Sequence, residues 1–303
     1  MPEEVVLRLA HEAPETTTKG QAANKLAELV TQYTDGEVEV QVFPGGQLVP
    51  TIDEIRAVSR GQVDIVAPYT SYFSAIDEAW NVFYMPTLFE SPKHAVEVFA
   101  GPVGRSILDR VENSGLVGLS IWHDGPVYLF TKDKVVKTPS EMAGLKVRVA
   151  PSAPLEALIE QGSATPVALP ATDVYLALQQ GVANAVATTS TYAGPARWNE
   201  VLENGTRVLW GWGGYGLVMN QKSLAKLSDS QREGFMRAVN EAAQWNQEQA
   251  LENVTYWENW LEEQGLAWYA PTDEELAQWQ EAGTVIWEMQ PAMIGDYIAQ
   301  IRE

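Results

Sequence analysis

The sequence predicts an α/β protein built from two lobes, and three observations carry that expectation. A strand–helix–strand–helix–strand order opens the chain, and the same order returns after residue 144. Strands joined through helices pair in parallel, which is the α/β pattern. A helical stretch from Asp229 to Glu263 would be about 50 Å long at 1.5 Å per residue, longer than one lobe is wide.

Val5–Ala10 (VVLRLA) alternates briefly and reads as the first strand. Thr17–Tyr33 is an amphipathic helix, with Ala22, Leu26, Leu29 and Val30 near helical spacing. Glu37–Phe43 (EVEVQVF) has strict period-2 alternation, and Pro44-Gly45-Gly46 ends it. Ile52–Ser59 forms a helix closed by Gly61, and Val63–Ala67 is a short buried strand. In the second unit Leu145–Val149, Thr165–Ala168 and Ala185–Thr188 are strands, and Ala153–Gln161 and Asp173–Gln180 are helices. No internal repeat is strong enough in sequence to mark a duplication. Ser228-Asp229-Ser230-Gln231 fits the capping box that starts a long helix. Val285–Ile301 adds a last helical stretch, interrupted at Pro291. These elements divide into lobe I (1–125 plus 213–250) and lobe II (126–212 plus 251–303).

Composition narrows the function classes. With 20 Lys and Arg against 40 Asp and Glu, the net charge of −20 opposes nucleic acid and anionic membranes as partners. Residues 229–303 hold 15 acidic and three basic side chains, Arg232, Arg237 and Arg302, as expected of a solvated helical surface. The absence of cysteine removes disulfides, thiolate zinc sites and thiol nucleophiles. No apolar run is long enough to span a bilayer. Met1-Pro2-Glu3-Glu4 lacks a basic and then apolar leader, so any signal peptide is expected to have been removed.

Catalytic signatures are missing: no G-x-S-x-G, H-E-x-x-H, Walker A or G-x-G-x-x-G stretch occurs. His11, His94 and His123 are scattered without metal-ligand spacing, and no metal or cofactor is expected. His123-Asp124 are neighbours in sequence, and such neighbours more often point apart than cooperate. The chain therefore reads as a binding protein and not an enzyme. Arg148 stands inside the apolar strand LKVRV, where a charge needs a reason. Either it turns outward to an internal carboxylate, or it clamps a ligand carboxylate at the carboxyl end of a strand, where open α/β sheets bind ligands.

Several motifs recur in order. They are Gly144–Val149 (GLKVRV), Pro170 with Asp173–Val182 (DVYLALQQGV), Tyr33–Leu48 (YTDGEVEVQVFPGGQL), Gly61–Ile65 (GQVDI) and Phe83–Pro86 (FYMP). Together they resemble the periplasmic solute-binding proteins of TRAP transporters, the DctP-type family, over most of the chain. The resemblance implies the two-lobed periplasmic-binding-protein fold, with a ligand cleft between the lobes and a long helix crossing both. It also implies a monomeric periplasmic receptor that hands an organic acid to TRAP membrane subunits, with Arg148 as the carboxylate-binding arginine.

Departures from the pattern shape the ligand expectation. Thr188 replaces the asparagine that many members offer to ligand. The stretch Trp122–Val127 (WHDGPV) lacks the second arginine of some sialic-acid-binding members, which disfavours a second carboxylate. Ala10-His11-Glu12 resembles the segment in ectoine-binding members whose glutamate faces a cationic ligand group. Either Glu12 does so here, or it is a loop surface residue. Trp122, Trp210, Trp212, Tyr69, Tyr72 and Phe73 lie at or after strand ends, and Tyr69 and Trp212 align with cleft positions of the family. The expected ligand-facing set is Arg148, Glu12, Tyr69, Trp122, Thr188, Trp212 and Ala171. The expected solute is a small monocarboxylate or zwitterion, ectoine-like or an amino acid, with an aromatic or branched acid or a sugar acid as the alternative. A sensor partner without transport, or a hydrolase using His123-Asp124, are the competing classes.

Overall fold

Thr17 starts the first crossover by accepting the Gly20 N–H on its side chain. From there α1 (Thr18–Tyr33) carries the chain back from β1 (Val5–Ala10) so that β2 (Val38–Phe43) pairs with β1 in parallel. The computed structural model describes residues 5–303, so the reading of Met1–Glu4 lies outside the described residues. A 3-10 turn, Thr51–Asp53, and α2 (Glu54–Ser59) then lead to β3 (Ile65–Val66), on the other side of β1. Two apolar 3-10 turns, Thr70–Ala75 and Glu78–Tyr84, precede α3 (Pro92–Ala100) and α4 (Pro102–Asp109). The chain then runs through β4 (Leu116–Pro126) directly into β5 (Tyr128–Thr131).

The second unit repeats the first: β6 (Lys146–Val149), α5 (Ala153–Gln161), β7 (Thr165–Ala168), a 3-10 turn at Ala171–Asp173, α6 (Val174–Gln179) and β8 (Ala185–Thr188). There follow α7 (Ser190–Ala193), β9 (Asn204–Thr206), β10 (Trp212–Asn220), α8 (Gln221–Leu224), α9 (Asp229–Glu263), β11 (Ala267–Tyr269), α10 (Asp273–Glu288) and α11 (Ala292–Arg302). One sheet has the order β2-β1-β3-β10-β4 and the other β11-β9-β5-β8-β6-β7. In each, a parallel triplet with its first strand in the middle is extended by an antiparallel strand, β10 beside β3 and β5 beside β8. The duplication that sequence similarity does not mark is therefore present in topology. The strands joined through helices pair in parallel as expected, and the added antiparallel strands make both sheets mixed.

Two segments cross between the sheets, at Val127 and at 207–211, held together by Val127 N–H to Gly211 O (2.9 Å) and Trp210 N–H to Val127 O (2.9 Å). The capping box at Ser228 and Gln231 starts α9, which packs on α1 and β4 and then on α7, crossing from one half to the other. β4 is the edge strand, and next to its bulge at Asp124 the backbone of His123 is open to α9. The buried Asn246 of α9 meets it, accepting the His123 N–H (2.6 Å) and donating to the His123 carbonyl (3.2 Å). α10 ties the halves again through its indoles: Trp279 donates to Lys137 O (2.8 Å) and Trp287 to Pro86 O (2.9 Å). α11 lies against α4 and Glu78–Tyr84, on the first sheet's side. Among the described residues no helix is long and apolar enough to cross a membrane.

Candidate functional site

The repeated topology aims the carboxyl ends of two sets of parallel strands at one space, the position where α/β sheets bind ligands. Glu12 follows β1, Tyr69 follows β3, Arg148 lies near the end of β6 and Thr188 ends β8. Together with Ala171 they line one cavity. Thr51 and Ala171, each in the 3-10 turn that precedes the second helix of its unit, also line it.

Arg148 is 4% exposed. Its Nε and Nη2 both donate to the Leu169 carbonyl, at 3.0 and 2.7 Å, and its guanidinium carbon lies 5.8 Å from the Trp198 ring centre. Nη1 has no protein partner, and no carboxylate lies within ion-pair distance, among the described residues. Burial lowers its pKa, but a guanidinium stays charged in a protein. A buried cation fixed by a carbonyl, with an edge left over, is prepared for a carboxylate.

Glu12 faces the cavity but is not a free anion. The ammonium of Lys19, itself fully buried, ion-pairs with it, donates to the Ala67 carbonyl (2.9 Å) and lies 4.1 Å from the Tyr215 ring centre. Glu12 thus already has a cation of its own within the fold. Behind it Glu54 is completely buried, and neither of its oxygens has a hydrogen-bond partner. Burial, and then the charge of Glu12, push its pKa well up, against the pull of Lys19. Burial and Lys19 press His11 down to about 3, which keeps it neutral. The Glu54 shift has a measurable consequence. The folded state prefers Glu54 protonated, so its contribution to stability is full below the ordinary carboxylate range and is lost as pH rises toward the folded value. Glu54→Gln is expected to melt higher than the parent at pH 8 and close to it at pH 4. A variant no more stable than the parent at pH 8, by thermal denaturation, contradicts this.

His123 and Asp124 point apart. The His123 ring sits between Phe99 and Trp212, centroids 5.9 and 6.3 Å away, and burial holds its pKa down at about 4. The Asp124 carboxylate turns into the cavity and accepts from Thr189 and Thr191, both at 2.7 Å, and burial raises its pKa. The two do not form a dyad. Trp122 and Trp212 are fully buried and do not line this cavity. Trp122 belongs to the apolar cluster shared with Phe235 and Ala242 of α9, and Trp212 donates its indole N–H to His123 Nδ1 (3.3 Å). The rings that do line the cavity are Tyr69, Tyr72, Tyr192, Trp198 and Tyr215. All but Tyr69 were missed as ligand-facing, although Tyr72 was noted near a strand end. A signal for Tyr192 and Trp198 lay in their position just after β8.

Comparison with known proteins decides the family. The model of the bacterial extracellular solute-binding proteins, family 7 (DctP), matches residues 9–292. The chain belongs to this family. It is a solute-binding receptor of the TRAP-transporter type, related to the C4-dicarboxylate-binding periplasmic protein DctP of Rhodobacter capsulatus, with 28% identity over 97% of this chain and 88% of that relative. A TRAP periplasmic solute-binding protein from Sulfurospirillum deleyianum, solved with bound succinate, superposes with a TM-score of 0.91 at 28% identity over 99% of both chains. One from Shewanella oneidensis, also with succinate, gives 0.92 at 28% identity over 98% of both. Within this DctP-type receptor, the two-lobed α/β fold with a helix crossing both lobes is the arrangement described above.

Proposed function

We propose that this receptor captures a small organic acid with one carboxylate, seats that carboxylate on Arg148, and delivers the solute to TRAP membrane subunits as a monomer in the periplasm. The observation that carries the reading is the buried Arg148 guanidinium, held by the Leu169 carbonyl, with an unpartnered edge on the cavity. Tyr69, Thr188 and Ala171 shape the walls around the rest of the solute. The relatives named above include receptors for C4-dicarboxylates, but a second carboxylate here would meet Glu12 and Asp124. Lys19, the cation nearest that end, already serves Glu12. A second reading, a zwitterion, is favoured by Asp124, a cavity-facing carboxylate held by two threonine hydroxyls.

A panel of one carbon skeleton separates these possibilities. Calorimetry with butanoate, 4-aminobutanoate and succinate is expected to show the first two binding at least about tenfold tighter than succinate, a difference of about 1.4 kcal/mol. A tenfold preference for 4-aminobutanoate over butanoate selects the zwitterion. Succinate as the tightest of the three overturns the single-carboxylate reading and leaves the receptor class standing.

A further inference from the structure

Lys19 does not line the cavity, yet it sits directly behind two residues that do, Glu12 and Tyr215. It is an unusual lysine. Its side chain is completely buried near the start of α1, where an amphipathic helix would ordinarily place a lysine in water. Its three contacts, a carboxylate, a carbonyl and an aromatic face, fix the ammonium in one position. A second acidic side chain, that of Glu54, lies in the same pocket with no hydrogen bond of its own.

We propose that Lys19 is a specificity-determining residue that sets the charge class of solute the receptor accepts, by cancelling Glu12 from behind the cavity wall. This rests on the single-carboxylate reading above. With the Glu12–Lys19 pair intact, the β1 side of the cavity is electrically neutral, and Arg148 faces it as the cation without a carboxylate. Removing Lys19 leaves Glu12 as a buried charge without its cation, and removing Glu12 leaves Lys19 beside Glu54, whose burial favours the neutral form; a ligand of opposite sign would stabilise either variant. The two removals therefore shift selectivity in opposite directions. Lys19→Met exposes the Glu12 carboxylate to the cavity and favours a solute carrying an ammonium. Glu12→Gln leaves the Lys19 ammonium unpaired and favours a solute carrying a second carboxylate. A lysine that served only to hold the fold would, when removed, weaken every solute by one common factor.

The test uses the same three four-carbon acids at pH 8, with butanoate as the reference. In Lys19→Met the affinity of 4-aminobutanoate relative to butanoate is expected to rise at least tenfold over the parent ratio. In Glu12→Gln the affinity of succinate relative to butanoate is expected to rise at least tenfold. Should Lys19→Met not fold, Glu12→Gln and the double variant Lys19→Met/Glu12→Gln carry the test, since the double variant should return both ratios to within threefold of the parent. Ratios that stay at the parent value in a variant that binds butanoate overturn the assignment of Lys19 and leave the carboxylate reading intact. A parent that binds none of the three acids overturns the carboxylate reading itself, and the selector with it.

Discussion

Arg148→Ala is expected to leave the protein folded and to lower its affinity for a carboxylate solute by more than about 100-fold. Removing one partner of a buried charge pair costs about 3–5 kcal/mol, which corresponds to a loss of two to three orders of magnitude in affinity. The fold survives because the guanidinium carries no ion pair within the protein among the described residues. Its bonds to the Leu169 carbonyl stand at the edge of an open cavity that water can enter. Arg148→Lys recovers little, because one ammonium cannot hold the carbonyl and present a planar edge to a carboxylate together. Calorimetry of the variant, with circular dichroism as the check on folding, decides the matter. Affinity within a few-fold of the parent removes Arg148 from the site.

Gly211→Ala is expected to destabilise the protein by about 3 kcal/mol, from backbone strain and overpacking together. Gly211 has φ of +155°, and a Cβ there would stand 2.6 Å from the Phe83 carbonyl oxygen and 2.9 Å from the Tyr84 Cα. Both are backbone atoms of a fully enclosed segment, so neither can swing aside as the end of a side chain would. The residue also accepts the Val127 N–H, where the two connections between the sheets lie side by side. The substitution thus strains the point at which the lobes join. Denaturant unfolding measures the effect, and a change below about 0.5 kcal/mol contradicts it.

The elements bounded by clear turn and cap signals were legible in the sequence. β1, α5, β7, β8 and α9 begin and end where alternation, helical spacing and the capping box place them. β4 and β10 were not legible, although they form the long antiparallel pair at one edge of the first sheet. Every residue of β10 is buried, so it shows no alternation. Its glycines read as a bend, but they make room for rings: a Cβ at Gly216 would meet the Phe73 ring at 2.5 Å, and one at Gly213 the Tyr69 hydroxyl at 2.3 Å. Arg148 was legible because a charge in an apolar strand is conspicuous. Lys19 was not, because nothing in an amphipathic helix distinguishes a lysine folded inward to a glutamate seven residues earlier. The tryptophans misled for a related reason. Their place near strand ends is visible in sequence, but the side of the sheet they occupy is set by the bulge at Asp124 and the packing of α9.

The central claim is that a solute carboxylate rests on the free edge of Arg148, and a crystal structure of the protein with the tightest-binding acid of the panel tests it most directly. A carboxylate oxygen within about 3 Å of Arg148 Nη1, the distance of a charge-assisted hydrogen bond, with the Leu169 contacts retained, is the predicted result. A solute bound elsewhere, or bound in this cavity with its carboxylate on tyrosine hydroxyls and Arg148 untouched, would contradict it.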